Sequence, residues 1–420
     1  MSTAVARPYR IGGVTIERHR VSGLAYILVG ILILVLWGGV EPGAESSFEL
    51  NTSGVALTLP PIVVPSAPVI WGLAGVCVFL GAIQLARGLG ARKAYALAAV
   101  VLIVVITFLV WAASGRSMNL LGVMQASLFR AVPLTFAALS GVLCERAGVV
   151  NIAIEGMLLT GAFVSAVVGS ALGPWAGILA AALAGGALAW VLAVLAIRYK
   201  VDQIIAGTII NIFAAGMTAF LSARVLTDLP ALNAPERVSP IAIPILNDIP
   251  VIGPLLFTNN VFVYFLFFLI CALHVGLFKT RWGLRVRAVG EHPKAADTMG
   301  IDVLRTRYIN VVLGGMVAGI GGAFLVIGAT GRFDKDMTAG RGFIGLAAMI
   351  FGAWTPIGSF FAALVFGFAD ALQARLSVLN VPIPSEVLLM IPYIVTIFVV
   401  AGMVGRSRAP AADGKPYEKG

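Results

Sequence analysis

The sequence is poor in charged residues, which make up 11% of its 420 residues while hydrophobic residues make up 60%. Soluble domains average about 25% charged residues. The mean hydropathy of +1.00 is likewise far too apolar for a soluble fold. Because only an apolar solvent accommodates such a surface, the composition excludes a soluble enzyme or binding module and predicts a polytopic membrane protein.

Cysteine and histidine are also scarce, with three of each. Cys77, Cys144 and Cys271 form no C-x-x-C pair and lie in or beside apolar segments, so we expect them to be small buried side chains rather than a disulfide framework. The histidines are scattered, which predicts no metal site. The motifs G-x-x-x-x-G-K-[ST], G-x-S-x-G and H-E-x-x-H are absent. The chain is therefore predicted to hold no cofactor and no nucleotide, and not to be an enzyme.

The hydrophobicity pattern predicts an all-α polytopic integral membrane protein with about twelve hydrophobic segments, since a crossing takes roughly 20 apolar residues. Its net charge of +10 comes from basic residues spread over short loops, which orient the spans and place both termini in the cytoplasm. We therefore predict no nucleic-acid binding. The segments are 21–39, 67–86, 94–114, 119–143, 149–170, 174–197, 203–225, 260–278, 308–329, 342–354, 357–378 and 385–404.

The character of the segments changes along the chain. Residues 1–118 contain three plain aliphatic spans, which predict an N-terminal accessory region. Residues 119–404 are richer in glycine, alanine and polar side chains and predict a tightly packed core, followed by a cytoplasmic tail at 405–420. Gly315 and Gly319 form a G-x-x-x-G pair suited to helix packing. The segment 342–354 is too short to cross and is predicted to be re-entrant or broken.

Charge is costly inside a membrane span, and three of the ionisable residues within the predicted spans stand out: Arg130, Glu155 and Asp370. One interpretation is that they fix helix packing, and the other is that they face a water-filled substrate path. The sequence leaves both open. The uncharged candidates for such a path are Asn151, Thr208, Asn211 and Phe213, with Thr208 and Asn211 three residues apart on one helix.

The longest polar interruption between apolar segments is 279–308, which contains seven Lys or Arg residues and three acids. This excess is typical of a cytoplasmic loop. A short helix is predicted at about 292–300, because Pro293 suits its first position and Gly300 suits the residue after its end. A helix of this length is unstable alone, so we expect the membrane domain or a partner to hold it.

Four stretches resemble the membrane-spanning permease subunits of bacterial ABC importers of the ribose, branched-chain amino-acid and nucleoside group. The match covers about 119–404, and the ERAGVVNIAIEGM and FADALQ…LLMIPY stretches are most similar to nucleoside-type permeases. The stretches are LSGVLCERAGVVNIAIEGMLLTGAF (139–163), VDQIIAGTIINIFAAGM (201–217), GLRVRAVGEHPKAADTMGID (283–302) and GLAAMIFGAWTPIGSFFAALVFGFADALQARL (345–376) with LLMIPYIVTIFVVAG (388–402).

The resemblance implies a bacterial cytoplasmic (inner) membrane protein that translocates nucleosides or a related small polar solute. It implies three protein partners: an ABC ATPase that uses ATP and Mg, a second and often paralogous permease, and an extracytoplasmic substrate-binding lipoprotein. The short helix becomes the coupling helix that docks on the ATPase. That role falls on Glu291, His292, Pro293, Lys294, Ala295, Ala296, Asp297 and Gly300.

Two other functions remain open at this stage. A permease for simple sugars such as ribose fits the same resemblance. An ion-driven secondary transporter would use Arg130, Glu155 and Asp370 as a relay. A membrane enzyme has no clustered nucleophile, base or metal ligands to support it.

Overall fold

The computed structural model describes residues 9–11, 14–16, 18–51, 59–378, 390 and 408–418. The predicted last span at 385–404 lies outside the described residues except for Met390. The chain divides into two compact units, Met1–Gly122 and Val123–Gly420.

The first unit contains three long helices, α1 (Arg18–Trp37), α2 (Ser66–Ala86) and α3 (Lys93–Ala112). Glycines allow α1 and α2 to pack with their backbones in contact. A Cβ atom on Gly23 would lie 2.7 Å from the Leu85 amide nitrogen, and one on Gly81 would lie 2.8 Å from the Gly23 carbonyl oxygen. Close approach through small residues is a common way for helices to associate in membranes.

Short strands occur before, between and after these helices, where the sequence indicated only loops. The strands β1 (Tyr9–Ile11) and β2 (Val14–Ile16) pair antiparallel, and β3 (Glu45–Glu49) pairs antiparallel with β4 (Ile62–Pro65) and parallel with β5 (Ser117–Asn119). The buried Ser46 hydroxyl donates to the Val110 carbonyl at 2.7 Å and contacts the Ser66 hydroxyl at the same distance. Strands this short show no period-two pattern, which explains why the sequence did not predict them.

The second unit is helical. The helices Pro174–Ala193, Gln203–Leu221 and Val303–Ala323 continue as π-helical turns at Val194–Arg198, Ser222–Leu226 and Phe324–Thr330. Two-residue strands β6 (Ile241–Ala242) and β7 (Thr258–Asn259) pair antiparallel. The helices are α4 (Leu120–Arg146), α5 (Ile154–Leu172), α6 (Pro174–Ala193), α7 (Gln203–Leu221), α8 (Ile252–Leu256), α9 (Val261–Lys279), α10 (Arg281–Glu291), α11 (Pro293–Thr298), α12 (Val303–Ala323), α13 (Arg341–Phe351) and α14 (Pro356–Val378).

In the described part of the chain, ten helices are long and apolar enough to cross a membrane. This confirms the all-α polytopic fold. The helix α13 has only 11 residues, so at 1.5 Å per residue it covers about 16 Å, half of the hydrocarbon core. In α4 and α12, 89% and 72% of the most apolar stretch of 18 residues is buried inside the protein, against 28% in α7 and α9. The centre of this unit therefore lies between α4 and α12.

The three cysteines do not share one environment. Cys77 and Cys144 are buried as predicted, but Cys271 is exposed. The prediction for Cys271 was wrong because α9 is a peripheral helix, and an apolar sequence does not distinguish a face toward lipid from a face toward protein.

The G-x-x-x-G pair of α12 contacts α6. A Cβ atom on Gly319 would lie 2.1 Å from the Ala181 carbonyl oxygen, and one on Gly315 would lie 2.4 Å from the Gly185 carbonyl oxygen. These are backbone atoms, so the helices themselves would have to separate to make room. The pair is therefore a packing site between α6 and α12.

We predict that Gly319→Ala lowers the thermal stability of the purified chain, by about 1–3 kcal/mol in unfolding free energy, because the added methyl group overpacks this contact. The matched control is Gly216→Ala on α7, where a Cβ atom meets nothing within 4 Å. The control is expected to be neutral or slightly stabilising. Equal stability of both variants in a detergent melting experiment would contradict the close contact.

Candidate functional site

The half-length helix α13 begins against the Glu155 carboxylate of α5. The Gly340 amide donates to Glu155 Oε1 at 2.8 Å, and the Gly342 amide donates to Oε2 at 2.6 Å. These amides belong to the first turn of α13, where backbone donors have no partner within the helix. A negative charge there also interacts favourably with the helix dipole. Glu155 is thus the N-terminal cap of α13, supplied by another helix.

The other end of α13 is held by the end of α4. Arg146 Nε donates to the Trp354 carbonyl at 2.8 Å, and its Nη2 donates to the Ala353 carbonyl at 3.1 Å. The Trp354 indole donates to Glu145 Oε2 at 2.6 Å. Ala353 and Trp354 both have a φ of 52°, the left-handed region that side chains rarely adopt. The side chains of α4 therefore stabilise a strained turn between α13 and α14.

The side chains that bind the two ends of α13 come from one stretch of sequence, 145–155, which joins α4 to α5. Its two ends contact the two ends of α13, so the stretch and the short helix lie side by side. Asn151 in its middle is fully buried. Its Nδ2 lies 3.4 Å from both Ser140 Oγ and Cys144 Sγ on α4. In this conformation Asn151 fixes the stretch against α4 and has no open access.

Asn211 joins α7 to the beginning of α5. The Gly156 amide donates to Asn211 Oδ1 at 2.8 Å, and Asn211 Nδ2 donates to the Ile152 carbonyl at 2.8 Å. The Asn211 amide group therefore satisfies backbone groups on both sides of Glu155. Because Gly156 has no side chain, α7 can approach this closely, and a Cβ atom there would lie 3.0 Å from the Ala214 Cβ atom.

Thr208 and Phe213 lie on the outer face of α7. Thr208 is exposed and donates to the Ile204 carbonyl of its own helix at 2.8 Å. The Phe213 side chain is 54% exposed. Although Thr208 and Asn211 are three residues apart, only Asn211 contacts a neighbouring helix.

Arg130 and Asp370 form a separate pair between α4 and α14. Arg130 Nη1 lies 2.6 Å from Asp370 Oδ2, and the two side chains are 35% and 33% exposed. Such a half-exposed pair neutralises two charges on helices that the membrane surrounds. Of the predicted site residues, the structure thus brings Glu155 and Asn211 to one place, the beginning of α5, while Arg130 and Asp370 meet at another.

The sequence analysis missed Glu145, Arg146 and Trp354 as site residues. The sequence contained one indication of these contacts. Glu145 and Glu155 flank a stretch with little helical periodicity, and their separation of ten residues is close to the length of α13. The partner segment lies some two hundred residues away, so the sequence did not indicate what the two acids contact.

The short helix predicted at about 292–300 is α11, Pro293–Thr298. Pro293 is its first residue and Gly300, with a φ of 79°, follows its end, as predicted. His292 Nδ1 accepts the Ala295 amide at 3.2 Å and caps the N-terminus. The helix α10 precedes it directly and ends at Glu291.

The two faces of α11 differ. Lys294, Ala295 and Met299 are exposed, and Met299 is 81% exposed. Ala296 is only 4% exposed and packs in a cluster with Val289 and Val303. The small size of Ala296 therefore suits packing inside the chain, while Ala295 and Met299 form the surface that a partner protein can reach.

The helices, the half-length α13 and the exposed α11 together define a multi-pass membrane transport subunit. Residues 123–400 match the family described as "Branched-chain amino acid transport system / permease component". The chain belongs to this permease family and is an integral protein of the cytoplasmic membrane. Transporters of this family generally work with an ATPase and a substrate-binding protein.

Several curated relatives are similar over most of their length. The guanosine ABC transporter permease protein NupQ of Bacillus subtilis is 43% identical over 311 residues, which are 71% of this chain and 97% of NupQ. The nucleoside ABC transporter permease protein NupC of Lactococcus lactis is 40% identical over 304 residues, 70% of this chain and 95% of NupC. A putative glucose ABC transporter permease protein of Haloferax volcanii, TsgC13, is 34% identical over 255 residues, 60% of this chain and 77% of its own length. No solved structure matches the chain.

We predict that Glu155→Ala increases hydrogen exchange at the Gly340 and Gly342 amides by about tenfold, because loss of a helix cap costs about 0.5–2 kcal/mol. Glu155→Gln keeps one acceptor oxygen and is expected to show a smaller increase. The control is Thr208→Ala, which removes an exposed hydroxyl that donates to the Ile204 carbonyl of its own helix. Unchanged exchange in Glu155→Ala would show that the carboxylate does not hold α13.

Proposed function

We propose that this chain is the permease subunit of an ATP-driven importer of nucleosides or closely related small polar solutes. The observation that carries the proposal is its identity of 43% and 40% with a guanosine and a nucleoside permease over nearly their whole length. The similarity to a putative glucose permease is lower and covers less of that protein. A sugar is therefore the second candidate substrate.

Transport would proceed by alternating access between two arrangements of the core helices. The ATPase partner would bind and hydrolyse ATP with Mg, and its closure would move α11. A second, paralogous permease would complete the membrane part. High affinity for the solute would reside in the extracytoplasmic binding protein, so this chain would bind the solute only weakly. The candidate path residues are those near the beginning of α5 and on α7, together with the Arg130–Asp370 pair.

The substrate proposal predicts that cells lacking this chain lose uptake of labelled adenosine, guanosine and uridine but keep uptake of glucose, ribose and leucine. Depletion of ATP should abolish the nucleoside uptake even while the proton gradient is maintained. Loss of glucose or ribose uptake alone would be consistent with an ABC importer but would identify a sugar as its substrate. Nucleoside uptake that survives ATP depletion and stops with the proton gradient would contradict an ATP-driven importer.

The docking proposal predicts that Ala295→Trp and Met299→Glu abolish co-purification of the ATPase, because both side chains lie on the exposed face of α11. Matched controls at the same positions, Ala295→Ser and Met299→Leu, keep the size or character of the surface and should retain the ATPase. The folded state of each variant is checked by its elution from a sizing column. ATPase binding by both disruptive variants would refute docking at α11.

A further inference from the structure

The C-terminal segment 410–417, called here the tail segment, is attached to the end of α10 immediately before α11. The Ala412 amide donates to the Gly290 carbonyl at 2.9 Å, and the Ala411 amide donates to Glu291 Oε2 at 3.2 Å. Gly290 leaves no room for a side chain, since its Cβ atom would lie 2.2 Å from the Arg146 carbonyl oxygen. The tail segment, α10 and the end of α4 therefore meet at one point.

The tail segment also covers the inner face of α11. The Tyr417 side chain is 8% exposed and belongs to one apolar cluster with Ala296, Val289 and Val303. These residues represent α11, α10 and the first turn of α12. Without Tyr417 the inner face of α11 would lose one wall of this cluster. A six-residue helix has little stability of its own, so its position depends on such contacts.

The long helix α12 contacts the tail segment through Arg307, which is 1% exposed. Arg307 Nη1 donates to the Lys415 carbonyl at 3.0 Å. Gly148 provides the space, because a Cβ atom there would lie 2.8 Å from Arg307 Nη2 and 3.2 Å from the Ala412 carbonyl oxygen. Burying a charged side chain costs free energy unless it is hydrogen-bonded, and the tail segment supplies a hydrogen-bond acceptor to Arg307.

The tail segment finally reaches the residues that hold α13. The Asp413 side chain lies beside that of Glu145, and Glu145 Oε2 accepts the Trp354 indole N–H at 2.6 Å. Glu145 is 4% exposed. Contacts thus link Ala296 to Tyr417, and Asp413 to Glu145, Trp354 and α13. The backbone of the tail segment joins Tyr417 to Asp413, and Glu155 caps the other end of α13.

We propose that the tail segment is a positioning element of the transport cycle, which fixes α11 to α4 and α12 and carries its displacement to α13. The proposal rests on the proposed function of α11 as the coupling helix. It goes further because it assigns to Tyr417, Asp413 and Glu145 the role of joining the surface that meets the ATPase to the half-length helix inside the membrane domain.

The first test needs no transport activity. Hydrogen exchange is measured on the purified full chain, on Tyr417→Ala and on a chain ending at Arg408. Both changes should reduce protection of the amides of α11 by about tenfold or more, because the buried aromatic wall is lost. The control Glu418→Gln removes the charge of an exposed side chain that pairs with Lys200 and should leave α11 unchanged. If the shortened chain does not fold, the Tyr417→Ala variant tests the proposal by itself. Unchanged protection overturns the proposal.

The second test measures solute uptake and ATP hydrolysis together, using the assembled transporter in liposomes. Tyr417→Ala should lower the solute moved per ATP several-fold while the ATPase remains bound. A merely structural role would reduce both quantities in proportion to the folded fraction, and that result would overturn the proposal. No nucleoside uptake by the unmodified transporter, with α11 protection still dependent on Tyr417, would instead refute the proposed substrate.

The Asp413 contact predicts a pH dependence. Burial raises the pKa of Asp413 from 3.8 to about 6. The charged or titratable groups that face it are Glu145, Arg307 and Cys144. Because the docked carboxyl group binds its proton more tightly than a released one, docking is favoured at low pH and weakens as the pH rises through about 6. Protection factors of α11, corrected for intrinsic exchange, should therefore fall between pH 5 and pH 7.5.

Asp413→Asn should remove this dependence, because a side-chain amide does not titrate between pH 5 and pH 7.5. Glu418→Gln should keep the dependence of the unmodified chain. A slope that persists in Asp413→Asn would show that another group titrates and would overturn the role of Asp413.

Discussion

The need to pair every backbone polar group inside an apolar solvent governs this structure. A complete helix meets that need by itself, but α13 and the stretch 145–155 are too short or too irregular to do so. Their free amides and carbonyls are instead paired with Glu155, Arg146 and Asn211. Side chains that a membrane would otherwise exclude are present because they replace missing backbone partners. The glycines at 156 and 342 then allow the helices to approach closely enough for these contacts, and Gly340 adopts a φ of 80°.

This requirement also changes the meaning of the buried charges. Glu155 was identified in the sequence because a charged side chain is energetically costly inside a membrane. Its two possible roles were to fix helix packing or to line a solute path. The structure shows the packing contact in detail, two hydrogen bonds to the first turn of α13. A capping residue can still line a path in another conformation, because α13 is a short element whose end could separate from α5. The two interpretations of Glu155 are therefore compatible, and movement of α13 would connect them.

Sequence reasoning predicted what depends on neighbouring residues in the chain. The ten described spans follow from continuous apolar runs, and the ends of α11 follow from Pro293 and Gly300. The short α13 was expected because the predicted segment 342–354 is too short to cross the membrane. Contacts between distant segments were not predictable in this way. Nothing in the sequence connects Glu145 with Trp354, or Tyr417 with Ala296, because each pair depends on how separate helices pack. The outward position of Cys271 was missed for the same reason.

The adjacent alanines of α11 give this short helix two independent surfaces. Residue 295 faces outward and residue 296 faces inward, so changes on one side need not alter the other. An exchange of ATPase partners, by divergence between duplicated transporters or by engineering of a hybrid one, could thus be confined to positions 294, 295 and 299. The inward residues would be retained together with the C-terminal segment they pack against. Transplanting α11 alone into another permease would separate it from that segment, whereas moving both together would preserve the unit.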